Sequence, residues 1–399
     1  MSGGRRGGGG AGRGRGRGGR GPRIADFDTV ADVLAAHHEH GHRFGAAEIA
    51  ASWNKLGKLV RRPAERRSLG RDATPLLAPL AEQTLQAVPK LPARALANTV
   101  HGVASVQARV WWQAGAALWR AMAARGVQVA DEASPQELSN TAWAYATAGH
   151  AAPALFDAIA AASVARVGDF KPQNLSNTAW AYATAGHAAP ALFDAIAAAS
   201  VARVGDFKPQ ELSNTAWALA VADVSADDLF GSPLFVDRCA AHEHAFARAE
   251  RRQLHQWQLW RDERGGAWPP LPRTLSKRCR AAFVAEEGKP SRLQSEVANT
   301  LDAMGLSPRQ EVRTPMGYSL DATVDVEGCE VAVEVDGPSH FVGRVPNGAT
   351  ALKRRQLRAA GWTLLSVPYW EWNDLGRDDL ARRAYLTRAL RAVLPPDRS

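Results

Sequence analysis

Apolar positions along this chain follow two different periods, and the change between them divides it. From about residue 25 to residue 250 they recur at helical spacing, in short runs punctuated by Pro and Gly; beyond residue 309 they alternate with polar positions as strands do. The first region is also a tandem array. Leu138–Gln173 recurs without change as Leu175–Gln210, and a third copy begins at Leu212 and diverges after Ala218. Trp143, Trp180 and Trp217 lie 37 residues apart, as do Pro135, Pro172 and Pro209. A repeat of that length without a strand pattern specifies two helices per unit. Pro135 suits a first helical turn, Ser134 and Glu137 form a capping box, and Gly149 closes the helix. Pro153 opens a second helix through Leu155, Phe156 and Ile159 to Gly168. Weaker copies of the first helix stand at Glu48–Leu59, Ala95–Val106 and Glu296–Leu306. An α-helical repeat solenoid of five or more units is therefore expected over most of residues 25–250, with a long concave surface.

The second region predicts a small α/β unit. Tyr318–Val326 and Cys329–Asp336 read as strands joined by the two-residue turn Glu327-Gly328. That register puts Ala322, Val324 and Val326 with Val331, Val333 and Val335 on one face of a ribbon. On the other face Asp321 falls opposite Glu334, with Asp336 one pleat further, and like charges so placed repel unless a cation sits between them. A divalent metal or an Arg or Lys from a neighbouring helix would serve. Around the ribbon the pattern predicts a helix over Ser291–Met304, a short strand at Gln310–Thr314, and a helix capped by Thr350 that stops at Gly361. A buried strand Trp362–Val367 and a closing helix Asp378–Leu394 complete the unit.

These segments carry a resemblance. "SRLQSEVANTLDAMGL", "SLDATVDVEGCEVAVEVDGPSHF" and "ALKRRQLRAAGWTLLSVPYWEW" occur in the order found in the RAP domain, and the stretch from about Arg309 to Leu390 closely resembles it. RAP names an RNA-binding domain abundant in apicomplexans and found in algae, plants and the Fas-activated serine/threonine kinase-like proteins of animal mitochondria. The resemblance implies a restriction-endonuclease-like α/β fold for residues 291–394 and a role on organellar RNA. The repeats in turn resemble the degenerate helical repeats that accompany RAP domains, similar in size to octotricopeptide and pentatricopeptide units. By that resemblance Asn140, Asn177 and Asn214, with Thr141, Thr178 and Thr215, would read bases, and an amide suits a base edge. The alternative is that these amides bond a neighbouring unit and that Trp143 and Tyr145 are core.

Charge qualifies the picture. The net charge is +9, but residues 1–23 hold seven arginines and no acid, leaving +2 for the rest. That Gly- and Arg-rich tail is expected to be disordered and, through residues such as Arg13, Arg15 and Arg17, to add unspecific RNA affinity. Between Ser134 and Val224 seven acids outnumber four bases, a balance of −3, so phosphate contacts must come mainly from elsewhere. Three well-separated cysteines, Cys239, Cys279 and Cys329, point to a reducing compartment, and no apolar run approaches a membrane span. The stretch over residues 251–290, with Trp257 and Trp260, reads as a helical cap on the solenoid.

The restriction-nuclease likeness implies a catalytic set of Asp321, Glu334, Asp336 and Lys353. In such nucleases an Asp and a Glu, here Asp321 and Glu334, hold a divalent ion such as Mg2+, with a Lys two residues beyond the Glu. Here that position is Asp336, so Lys353, with His340 as a base, would have to stand in. In the competing reading Arg354 or Arg355 neutralises the three acids and the domain binds without cutting. Arg354, Arg355 and Arg358, with Trp370 and Trp372, are then the expected RNA contacts. The function expected is binding of single-stranded organellar RNA in processing, stability or translation, in a mitochondrion or a chloroplast and with ribonucleoprotein partners. Two rivals remain: a metal-dependent endoribonuclease and a protein-interaction scaffold.

Overall fold

The computed structural model describes residues 23–70, 72–285 and 290–394; the tail residues Arg13, Arg15 and Arg17 lie outside them. Five helices in equivalent places of successive units stack side by side: α1 (Ala46–Leu59), α2 (Ala93–Gln107), α3 (Pro135–Ala148), α4 (Pro172–Ala185) and α5 (Pro209–Ala222). Behind them a second layer contains Thr74–Ala87, Ala116–Val129, Pro153–Val164 and Pro190–Val201. Alanines permit the close spacing: Ala142, Ala144, Ala179, Ala181, Ala216 and Ala218 are all fully buried. Each repeated Tyr then ties the layers together, Tyr145 donating to the Trp119 carbonyl at 2.8 Å and Tyr182 to the Phe156 carbonyl at 2.5 Å. Ser134 and Glu137 make the expected reciprocal cap, and Gly149 ends the helix at a φ of 68°.

Helix α6 (Arg248–Glu263) lies against α5 and carries the buried Trp257 and Trp260 against Phe230. The chain then forms the α/β unit. Helix α7 (Arg292–Ala303) leads into β1 (Arg309–Arg313), β2 (Ser319–Val326) and β3 (Cys329–Asp336), followed by the short hairpin of β4 (Phe341–Val342) and β5 (Val345–Pro346). Helix α8 (Gly348–Ala359), β6 (Thr363–Pro368) and α9 (Asp379–Val393) complete it. The four-stranded sheet runs β1-β2-β3-β6, antiparallel except for the parallel pair β3 and β6. Glu327 and Gly328 take positive φ, 55° and 79°, which gives the two-residue turn the twist a hairpin needs. One face packs Ala322, Val324, Val331, Val333 and Val335 with Val297, Leu301, Leu386 and Leu390. The molecule is thus a helical solenoid followed by a small α/β domain.

Two expectations change. Glu296–Leu306 is no repeat unit: its Val297 and Leu301 pack on the sheet, because the sheet offers the apolar partner that a stacked helix would have needed. Thr350 is not the cap of α8. Asn347 is, its Oδ1 accepting from the Thr350 amide at 3.0 Å.

Helix α8 crosses the carboxy-terminal ends of α4 and α5. Arg355 donates to the carbonyls of Ala220 and Val221, the last of these at 3.2 Å, and so caps α5 from another domain. Gln356 donates to the Gln256 carbonyl at 3.0 Å and accepts from Tyr318 at 2.7 Å. These buried polar partners fix the domain in one orientation, since any other would leave them unpaired.

Candidate nucleic-acid interface

The stacked first helices leave a groove of roughly 580 Å³ lined by Asn140 and Asn177, by Lys171 and Lys208, and by the carboxylates of Asp169 and Asp206. Asn140 and Asn177 are half-buried at the same place in two units, and among the described residues neither amide has a hydrogen-bond partner. Asn98 of α2, one unit earlier, lines a second groove with Asn54, Lys58 and Arg94. Its signal was in the sequence, in the weak copy that contains Asn98-Thr99. Asn214 differs from its equivalents. It is 7% exposed and accepts from Gln253 of α6 at 3.0 Å, because α6 covers the last unit. Thr141, Thr178 and Thr215 are buried as well, and Thr141 bonds the Glu137 carbonyl within its own helix.

The acidic face of the ribbon is covered by α8, and its three carboxylates are divided. Strand pairing ends at Ala322 with Val333, beyond which the Asp321 carboxylate replaces the backbone: it accepts from the Val335 amide at 2.7 Å and from Gln294 at 2.6 Å. Glu334 is 3% exposed and takes Lys353 Nζ at 2.5 Å, while Lys353 also donates to the Ser319 carbonyl at 2.8 Å. Burial pushes the Glu334 carboxyl up to about 7, with Lys353 opposing and Asp321 and Asp336 adding to the rise. Its Oε1 is buried without a partner. Asp336 forms a separate cluster with Arg354 at 2.6 Å, Ser366 at 2.7 Å and His340 at 3.2 Å. Burial works against its charged form, yet the bonds from His340, Ser366 and Arg354 outweigh it and hold the carboxyl below its usual value.

Asp321, Lys353 and His340 line one pocket with Gln294 and Ser319. Lys353 therefore reaches Glu334 from α8, across the acidic face. These residues do not fit a divalent ion. Mg2+ would take one or two of these carboxylate oxygens and fill its remaining positions with water, but both oxygens of Asp321 already accept hydrogen bonds and Lys353 occupies Glu334 Oε2, leaving only the buried Oε1. Among the described residues no three His, Cys, Asp or Glu side chains converge as a metal would need. The expected Asp321 and Glu334 metal pair is thus replaced by a lysine-carboxylate pair, and no step through a metal follows.

The other expected contacts of this domain also separate. Arg354 and Arg355 are taken up by Asp336 and by the ends of α5, leaving only Arg358 of the three exposed. Trp372 is fully buried in the sheet core and donates to Glu296, so it presents no face to a base. Trp370 is half-buried, edge-on to Phe341 at 4.4 Å with Arg344 5.7 Å from its ring. Phe341 ends one of the motifs that carry the resemblance but had no role assigned to it, and nothing in the sequence had singled out Arg344. Among the described residues no helix is long and apolar enough to cross a membrane.

Comparisons with known proteins bear on both parts. A family model described as RAP domain matches residues 333–389, and one described as RNA-editing substrate-binding complex 6 protein matches residues 112–261. A relative from Oryza sativa subsp. japonica, named RAP domain-containing protein, chloroplastic, is 40% identical over 102 residues, which is 25% of this chain and 15% of that relative.

Proposed function

We propose that this chain is an RNA-binding factor of an organelle, mitochondrion or chloroplast, which holds single-stranded RNA along its first helices. The α/β domain, seated on the far units, adds a second contact through Trp370, Arg344 and Arg358 rather than a metal-dependent cut. One observation carries this reading: Asn140 and Asn177 stand in register in one groove with unengaged amides, a repeated polar feature without a structural use. Two matches support it, since the RNA-editing family spans the units that form this groove and RAP spans the domain docked on them. The Oryza sativa relative, named as chloroplastic, supports the organelle. Processing, stability or translation of a transcript, within a ribonucleoprotein, is the setting this activity suits.

The test is fluorescence anisotropy with a labelled single-stranded RNA. Loss of two hydrogen bonds at about 1 kcal/mol each predicts that Asn140→Ala with Asn177→Ala weakens binding about 30-fold. The thermal midpoint should not move. Asn214→Ala should do the reverse, lowering stability by about 1 kcal/mol through its lost Gln253 bond and leaving RNA affinity unchanged. An Asn140/Asn177 double variant that binds RNA like the parent would overturn the assignment. A parent chain that binds no RNA at low salt would favour a protein scaffold.

A further inference from the structure

We infer that exposed cations at the carboxy-terminal ends of α1 and α2, together with Trp111, form a phosphate-gripping anchor for single-stranded RNA. The inference rests on the RNA-binding reading and names where the backbone charge is met. Positive charge is strongly segregated along the solenoid. Residues 43–125 contain thirteen Lys and Arg against four Asp and Glu, a balance of +9, whereas the Asn-bearing units over residues 134–224 carry −3. A groove offering amides but no net positive charge needs its phosphates neutralised beside it.

The structure gathers part of that charge in one place. Lys58, Arg61, Arg66 and Arg109 are all exposed, and among the described residues none has an ion-pair partner. They come from separate elements, drawn together because α1 and α2 pack closely: a Cβ on Gly102 would lie 2.4 Å from the Trp53 backbone. A Cβ on Gly57, next to Lys58, would lie 2.9 Å from Ser105, whose carbonyl accepts from Arg109 at 3.1 Å, so the last turns of α1 and α2 bring Lys58 and Arg109 together. In keeping with this, burial and then Arg61, Lys58 and Arg109 push the His101 pKa down to about 4. Arg109 is likewise lowered, by partial burial and by Arg61 and Arg66.

Interaction with helix dipoles would explain a single cation at each helix end, but not several that repel one another. Such a cluster gains from a polyanion. Two residues beyond Arg109 stands Trp111, 86% exposed, a face on which a base can stack. The same edge of the solenoid receives the α/β domain two units further on, over α4 and α5. At the usual helix spacing of 8–10 Å the anchor and that domain are separated by about 20 Å, with α3 between them.

Salt dependence of binding tests the proposal on the full chain. Each phosphate neutralised on a single strand contributes about 0.7 to the slope of log K against log salt. Lys58→Ala, Arg61→Ala and Arg109→Ala combined should make that slope shallower by about 2 and weaken binding at least tenfold at moderate salt. Trp111→Ala should weaken binding and leave the slope alone. A control lacking the same charge elsewhere, Arg273→Ala, Lys277→Ala and Arg388→Ala, should keep the parental slope, and all variants should melt as the parent does. An unchanged slope in the Lys58/Arg61/Arg109 variant, with parental RNA binding intact, would overturn the anchor alone. Equal competition by double-stranded DNA would overturn it as an RNA site, and absence of RNA binding by the parent would remove the reading beneath it.

Discussion

Replacing Gly348 with Val should unseat the α/β domain from the solenoid while leaving both folded. Gly348 is the first residue of α8, and a Cβ built there would lie 1.8 Å from the Ala183 carbonyl oxygen and 2.8 Å from Val221. The obstacle is backbone at the end of α4, which cannot rotate aside as a side chain would. Overpacking of this kind costs about 1–3 kcal/mol when neighbours can shift, and more where the neighbour is a carbonyl in a helix end. The domain's own structure has no stake in the glycine, since Asn347 supplies the cap and the apolar face of the sheet lies elsewhere. Small-angle scattering should show an expanded particle, and calorimetry should resolve one transition into two. An unchanged radius with a single transition would mean that Gly348 is not what permits docking. Release should also expose the α5 carbonyls that Arg355 caps, so Arg355→Ala should give a milder form of the same phenotype.

Glu334 predicts the second large effect, a contribution to stability that falls as the pH rises from 4.5 to about 7. Burial raises its folded pKa from the ordinary 4.5 to about 7, so the native state holds this proton longer than the unfolded chain. The contribution is complete below the unfolded value and is lost as pH rises through the folded one, a loss of about 3 kcal/mol. Asp336 works in the opposite sense. Its folded pKa is lowered, so its contribution is present at neutral pH and lost only as pH falls below the ordinary carboxylate range. His101, whose folded pKa is lowered, adds stability over the same range in both proteins, so urea midpoints measured from pH 5 to pH 8 should fall in the parent relative to Glu334→Gln, whose amide oxygen can still accept from Lys353. Coincident curves for the two proteins would refute the assignment. Lys353→Ala should cost about 3–5 kcal/mol at pH 8, where it strands a buried carboxylate.

How much of this was legible in the chain depends on how far each feature reaches. The repeat, its Ser134 and Glu137 cap and the Gly149 stop are local, and the residues that encode them are adjacent. The ribbon was legible for the same reason, because a two-residue turn fixes which side chains face together. What failed was tertiary. Trp370 and Trp372 share one short motif, but the helical turn Tyr369–Asp374 sends one to the surface and the other into the sheet core. The divergence of the third copy after Ala218 sets its unit apart, but nothing in it says that α6 will cover Asn214. Arg355 serves carbonyls more than 130 residues away in sequence, and only the docked arrangement assigns it there. The cations Arg61 and Arg109 likewise meet through the packing of α1 on α2, which no spacing announces.

The central claim, that RNA lies along the first helices, is tested most directly by ultraviolet crosslinking of a single-stranded RNA to the full chain, followed by peptide mass spectrometry. Adducts on the α3 and α4 peptides that carry Asn140 and Asn177, and on the peptide with Trp111, are the predicted result. Adducts confined to the α/β domain, with every solenoid peptide unmodified, would contradict it.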